Sequence, residues 1–281
     1  MDSRPVLFLD SGIGGLPYCR RFTGRNPDER VIYVADRANF PYGAKSGGEL
    51  GEILVALVRD LDNFFKPKLA VLACNTASVT ALALLRERFP GIHWVGTVPA
   101  VKPAANASLK RHIGILGTAR TIADPYAERL LRRCGPDCRL TGIAAPELVG
   151  FVEGGGDRAG IDEQRGRAAP YIAGFRRAGA DAVVLGCTHF VFLRGAFESL
   201  SGAGNPEEAV RIFDSVEGVA SRAESLLERH GIRAASGGSA AALPGERRQN
   251  LLVLTGNGEP GELWRQRAAA AGLFLMRIGE L

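Results

Sequence analysis

Two stretches of the chain repeat one arrangement. Leu69-Ala-Val-Leu-Ala73 is an apolar run that stops at Cys74, and Asn75-Thr76-Ala77-Ser78 then opens a helical pattern, Val79-Thr-Ala-Leu-Ala-Leu-Leu85. Ala182-Val-Val-Leu-Gly186 runs in the same way into Cys187-Thr188-His189, 113 residues further on. A short apolar run followed by small polar residues and a 3.6-residue period reads as a buried strand turning into a helix. Asn75, Thr76 and Ser78 are helix-capping residue types, so backbone N–H groups are expected to point back toward the cysteine. Helix starts of this kind attract anions and favour a thiolate. A lone cysteine after a strand is usually a buried core residue; a duplicated one is not so easily dismissed.

Other features repeat at similar distances. Val6-Leu-Phe-Leu9 runs into Asp10-Ser11, and Ile113-Gly-Ile-Leu116 into Gly117-Thr118. A chain of 281 residues holds two ordinary domains, and the near-repeat favours two α/β halves with one cysteine each. The expected division is residues 1–98 plus 208–230 for the first half, carrying Asp10 and Cys74. Residues 99–207 plus 231–281 would form the second, carrying Glu153 and Cys187.

Along the first half, Gly12, Gly14 and Gly15 follow Asp10-Ser11, a Gly-rich turn that is not the G-x-G-x-x-G dinucleotide fingerprint. Asp10 would repel a phosphate there, whereas an ammonium on Asp10 with a carboxylate on the turn's N–H groups suits a zwitterion. Residues 31–43 form a second strand ending in a loop, with Pro41-Tyr42-Gly43 as its turn signal; Ser46 to Phe65 is an amphipathic helix, and Ile92–Val98 a strand before the crossing at Pro99–Pro103. In the second half, Thr118–Arg133 reads as turn and helix with Thr121 near its start, and Leu140–Ala144 as strand. Glu153, before Gly154-Gly-Gly156, stands in a loop that is a candidate counterpart of the Tyr42 loop. Ile212-Phe-Asp-Ser215 is a strand end followed by a helix to Arg229, Ala234–Gly245 a flexible loop, Leu251–Leu254 a last strand and Glu262–Ala271 a last helix.

Several function classes are disfavoured. The net charge of +5 comes from scattered arginine pairs without a basic tail or an aromatic-interleaved stripe, so nucleic acid is not an expected partner. No run of 18 apolar residues exists, and Met1-Asp-Ser-Arg-Pro5 has no signal-peptide pattern, which points to a cytoplasmic protein without a membrane partner. Five cysteines, an odd number, do not suggest a disulfide framework. Cys134 and Cys138 lack the matching histidines of a zinc site, and no lysine stands in a pyridoxal-like context, so neither metal nor cofactor is expected.

Asp10-Ser-Gly-Ile-Gly-Gly-Leu16, Asp36 with Pro41-Tyr-Gly43, Ala73-Cys-Asn-Thr-Ala-Ser78, Val95-Gly-Thr-Val-Pro99, Gly117-Thr118 and Leu185-Gly-Cys-Thr-His189 together resemble the glutamate racemases of the aspartate/glutamate racemase family. The matches run in order from residue 7 to about residue 220, with a weaker echo at Thr255-Gly256. The resemblance implies two pseudo-symmetric three-layer α/β domains with mainly parallel sheets and an active site in the cleft between them. It implies cofactor-independent interconversion of L- and D-glutamate, supplying D-glutamate for peptidoglycan, by a homodimer. Carried over by position, Cys74 and Cys187 match the acid/base cysteines, Asp10 and His189 the groups that assist them, and Glu153 a further assisting carboxylate. Asp10, Ser11, Pro41, Tyr42, Gly43, Asn75, Thr76, Thr188 and His189 match substrate contacts, with Thr118 and Thr121 beside them. Ile13, Pro17-Tyr-Cys19 and Val191-Phe192 depart from the family pattern and bear on local loop shape.

The chemistry is consistent with this. Inverting an amino acid needs a base on one face of Cα and an acid on the other, and two thiols, one deprotonated, can exchange those roles. The alternatives are a racemase of the same fold acting on aspartate or another amino acid, and a non-catalytic amino-acid-binding protein.

Overall fold

The computed structural model describes residues 2–202, 209–235 and 249–278. The chain divides into two compact units, residues 1–97 with 216–281 and residues 98–215.

The first unit opens with β1 (Val6–Asp10), α1 (Leu16–Arg25), β2 (Val31–Ala35), α2 (Gly47–Phe65), β3 (Leu69–Leu72), α3 (Asn75–Arg88) and β4 (His93–Gly96). Strands β1 to β3 are fully buried apolar runs, the composition a parallel sheet covered on both faces requires. Alternation sorts their side chains. Leu7 and Leu9 join Ile32, Val34, Ala70 and Leu72 in one core cluster with α2 and α3. Phe8 points the other way and meets Phe22 of α1, ring centroids 5.5 Å apart. Ser46 caps α2 by accepting from the Glu49 N–H at 3.2 Å, a capping-box spacing.

The second unit contains α4 (Val101–Ala107), β5 (His112–Gly117), α5 (Ala119–Ala123), α6 (Tyr126–Cys134), β6 (Arg139–Ala144), α7 (Pro146–Glu153), α8 (Ile161–Ala178), β7 (Ala182–Leu185), α9 (Arg194–Ser201) and β8 (Arg211–Phe213). Ile113 and Ile115 of β5 pack with α4 and α6 on one face. On the other face Gly114 leaves room for Phe175 of α8: a Cβ at Gly114 would lie 2.4 Å from that ring. The helix expected over Thr118–Arg133 is broken into α5 and α6, because Pro125 cannot continue the hydrogen-bond ladder.

The chain then returns to the first unit with α10 (Val216–Arg229), β9 (Leu251–Leu254), α11 (Glu262–Ala271) and β10 (Phe274–Arg277). Here the sequence-based division needs correcting. Residues 249–278 do not join the second half. β9 pairs parallel with β2, Ile32 opposite Leu251 through Ala35 opposite Leu254, and β10 pairs with β9. Conversely, β8, expected with the first half, pairs with β7 of the second. Elements without an expected counterpart include β10, α1, α4, α7 and α9. Most of the expected loop at Ala234–Gly245 lies outside the described residues.

Among the described residues all strand pairings are parallel, and the sheet orders repeat: β10-β9-β2-β1-β3-β4 in the first unit, β6-β5-β7-β8 in the second. Without the two appended strands the orders are the same. Each therefore reverses direction at a central strand, between β1 and β3 and between β5 and β7. Open α/β sheets bind ligands at the carboxyl ends of strands beside such a reversal.

Candidate active site

Both thiols stand at those positions. The ladder between β1 and β3 ends with the Ala73 N–H donating to Leu9 O at 2.8 Å, and the next residue is Cys74. Between β5 and β7 the Gly186 N–H donates to Leu116 O at 2.7 Å, and the next residue is Cys187. The backbones agree as well: φ −139°, ψ 122° at Cys74 and φ −134°, ψ 134° at Cys187. Each cysteine is the N-cap of the next helical element, α3 in one unit and a 3-10 helix, Thr188–Leu193, in the other. The capping expectation for Asn75, Thr76 and Ser78 is corrected accordingly. The cap is Cys74 itself, and Asn75 and Thr76 occupy the first turn. Ser78 instead donates to Leu72 O at 3.0 Å and accepts from the Thr97 N–H at 2.9 Å, tying α3 to the ends of β3 and β4. The thiols are 7% and 6% exposed.

Around Cys74 the first unit gathers acidic and phenolic groups. Asp10, at the end of β1, is buried and accepts from the Gly12 N–H and from Ser11 Oγ, both at 3.2 Å. Tyr33 pins the glycine turn by donating to Gly12 O at 2.7 Å and accepting from the Gly15 N–H at 3.1 Å. Gly15 is obligatory, since a Cβ there would sit 2.7 Å from that of Ala73. Tyr42 lies in a 3-10 turn and is buried. Burial and then the Asp36 carboxylate, with smaller contributions from Cys74 and Asp10, hold its phenol well above its ordinary pKa. Tyr42 is thus a hydrogen-bond donor at working pH. Pro41 is exposed and Gly43 partly so.

Asn75 carries the clearest sign of a missing partner. It is 2% exposed, and neither its amide oxygen nor its nitrogen has a hydrogen-bond partner. An unsatisfied buried amide costs about 1–3 kcal/mol, a cost that a polar ligand beside Cys74 would remove.

Around Cys187 the second unit places a different set. Cys187 Sγ lies 3.8 Å from His189 Nδ1, and His189 Nε2 lies 2.7 Å from Glu153 Oε1. His189 is buried, and burial alone would depress its pKa. The hydrogen bonds and negative charge of Cys187 and Glu153 outweigh that and raise it well above the ordinary imidazole value. An imidazolium then donates to both. Glu153 is the last residue of α7, so its surroundings are helical and differ from the 3-10 turn of Tyr42, the expected counterpart. Thr118 Oγ1 caps α5, accepting from the Thr121 N–H at 3.2 Å and donating to Thr121 Oγ1 at 3.0 Å. Thr188 is buried beside Cys187.

The structure therefore brings Asp10, Ser11, Tyr42, Cys74, Asn75 and Thr76 together at the strand ends of one sheet. Cys187, Thr188, His189 and Glu153 converge in the other unit, with Thr118 and Thr121 following its β5. Sequence reasoning missed Tyr33, and it gave Asp36 no role. A tyrosine in a strand and an aspartate just past one carry no local signal of what they will reach.

Each of the two units has a parallel sheet with a buried cysteine capping the segment beyond the strand reversal, which makes this a two-thiol α/β protein. The family model for Asp/Glu/Hydantoin racemases matches residues 20–223, and the chain belongs to that family. It is 40% identical over 215 residues to the glutamate racemase of Treponema pallidum, covering 76% of this chain and 78% of the relative. It is 37% identical over 232 residues to that of Bartonella henselae, covering 81% and 83%. Among solved structures, the Escherichia coli glutamate racemase in complex with L-glutamate and the activator UDP-MurNAc-Ala aligns over 98% of this chain and 97% of its own, with 31% identity and a TM-score of 0.79.

Proposed function

We propose that this chain interconverts L- and D-glutamate without a cofactor, with Cys74 and Cys187 as the two proton carriers, supplying D-glutamate for peptidoglycan. The observation that carries the reading is the repeated placement of a buried thiol, in one backbone conformation, beyond the strand reversal of each sheet. Racemisation at Cα needs one proton carrier per face, and a pair of thiols meets that need. A thiolate removes the proton, and the opposite thiol returns one from its own sulfur. The two exchange roles in the reverse direction.

Negative charge develops toward the substrate carboxylate as the proton leaves. The first-turn N–H groups of α3 and the Asn75 amide are available to hold that carboxylate, and Asp10 suits the ammonium. Glutamate rather than aspartate is the substrate we favour, because relatives covering three quarters of the chain carry that name. A cytoplasmic homodimer is the form the family resemblance supports.

Solvent deuterium tests the mechanism. With two opposed thiols, the one that takes the proton still holds it while the other delivers a deuteron. Early D-glutamate should carry deuterium at Cα and residual L-glutamate should not. Mass spectrometry of each enantiomer in the first few per cent of turnover decides it. Labelling of residual L-glutamate as fast as product forms would overturn the two-base reading, and activity on aspartate alone would overturn the substrate.

A further inference from the structure

Asp36 is a carboxylate with no exposed surface, and all of its described side-chain partners are neutral donors. Thr255 Oγ1 donates to Oδ1 at 2.6 Å, Asn39 Nδ2 reaches Oδ1 at 3.1 Å and Oδ2 at 2.9 Å, and Tyr42 OH donates to Oδ2 at 2.8 Å. A buried carboxylate is tolerable only when such donors are aimed at it, so each donor's orientation is fixed in turn. Thr255 has a second role. Its Oγ1 accepts from the Ala38 N–H at 3.0 Å, and its own N–H donates to Ala35 O at 3.2 Å, continuing the β9–β2 ladder. One hydroxyl thus closes the 36–42 segment onto the end of β9, and the two oxygens of Asp36 bridge Thr255 to Tyr42.

We infer that Thr255 and Asp36 are positioning residues for the glutamate site: from the end of β9, Thr255 orients Asp36, which orients the Tyr42 phenol and the turn that carries it beside Cys74. The inference rests on the proposed function for the identity of the ligand. It extends the site to a strand that sequence patterning alone would place in the other half of the chain. Tyr42 does not move a proton here. Its one hydroxyl proton is committed to Asp36, which fixes the direction of the phenol and of the turn that carries it, and the loss of that direction weakens substrate binding without removing either proton carrier.

The test is steady-state racemisation by the full-length chain carrying Thr255→Val, which keeps the side-chain shape and loses the hydroxyl, and by Thr255→Ser, which keeps the hydroxyl. The Val variant is expected to raise KM for both glutamate enantiomers about tenfold with kcat within about twofold, the pattern of lost uniform binding. The Ser variant should restore KM to within about twofold of the native value. In a Tyr42→Phe background the Thr255→Val effect on KM should shrink below about twofold, because residues acting through one partner are not additive. An unchanged KM in the Val variant, no rescue by Ser, or a full effect in the Phe background would each overturn the inference while leaving racemisation intact.

Should the native chain fail to racemise glutamate, the function fails first. Amide hydrogen exchange then decides this inference without activity. Thr255→Val should speed exchange across residues 37–45 and leave α2 unchanged, and unaltered exchange there would overturn it.

Discussion

The Cys74 and Cys187 surroundings share a scaffold and differ in chemistry. Strand order, ladder end, backbone angles and N-cap position agree between them. The neighbours do not. Cys187 has an imidazolium at 3.8 Å, itself held by a carboxylate, whereas the groups gathered around Cys74 are Asp10 and Tyr42. Backbone geometry is common to both halves because it delivers a sulfur to a fixed point at a strand end. The titratable partners differ: Glu153 from α7 and His189 from the 3-10 helix in one half, Asp10 from the end of β1 and Tyr42 from the β2–α2 connection in the other. On the mechanism we propose, the scaffold sets where protons are exchanged, and the partners set how readily each thiol gives or takes one.

The comparison breaks most decisively at the thiols. If the two sites are equivalent in necessity, Cys74→Ala and Cys187→Ala should each lower kcat in both directions by at least about a thousandfold, or ~4 kcal/mol of barrier. Racemisation rates from circular dichroism, starting from each enantiomer, provide the measurement. A variant retaining more than about a tenth of the native rate, a barrier change of only ~1.4 kcal/mol, would show that its thiol is dispensable and the symmetry only structural.

A smaller effect sharpens the asymmetry. Asp10→Asn and His189→Asn should lower kcat by about ten- to a hundredfold, at or just below the bottom of the usual range for acid–base catalysis because they assist the thiols rather than replace them, and should do so unequally in the two directions because each acts on one half. The Haldane relation couples kcat/KM forward and back, so the separate kcat values are the sensitive quantities. Matching changes in both directions for both variants would reduce these residues to binding groups.

The shared scaffold was legible in the sequence because it is written locally. An apolar run ending in Cys and followed by small polar residues specifies strand, turn and helix without reference to anything distant. What was not legible is what depends on pairing across the sheet. Leu251–Leu254 reads as a buried strand, but no local feature says that its neighbour is Val31–Ala35 of the first unit. The Thr255–Asp36 contact was hidden for the same reason. Glu153 and His189 are 36 positions apart, and only the family resemblance connected them, since the end of one helix reaching a 3-10 turn leaves no periodic trace. The capping error at Asn75 was of another kind: capping residue types were present, yet the strand's own last turn made Cys74 the cap.

The smallest expected effect tests the link from Glu153 to His189. Glu153→Gln keeps a hydrogen-bond acceptor of the same size and removes the charge that helps hold His189 above its ordinary value. A group raised in the folded chain contributes stability that is fully present below its unfolded value, about 6.5 for imidazole, and that is lost as the pH rises through the raised folded value. Replacing the carboxylate should therefore lower Tm most near pH 6, where Glu153 is ionised and His189 protonated in the native chain. The gap should narrow toward alkaline pH as native His189 gives up its proton. An effect of about 1–2 kcal/mol at pH 6 fits a charge-assisted hydrogen bond weakened rather than deleted. Thermal melts of both proteins from about pH 5.5, below the ordinary imidazole value, upward into the alkaline range provide the check. A gap constant across that range would mean that Glu153 acts on His189 through packing alone, and the imidazolium beside Cys187 would need another source of stabilisation.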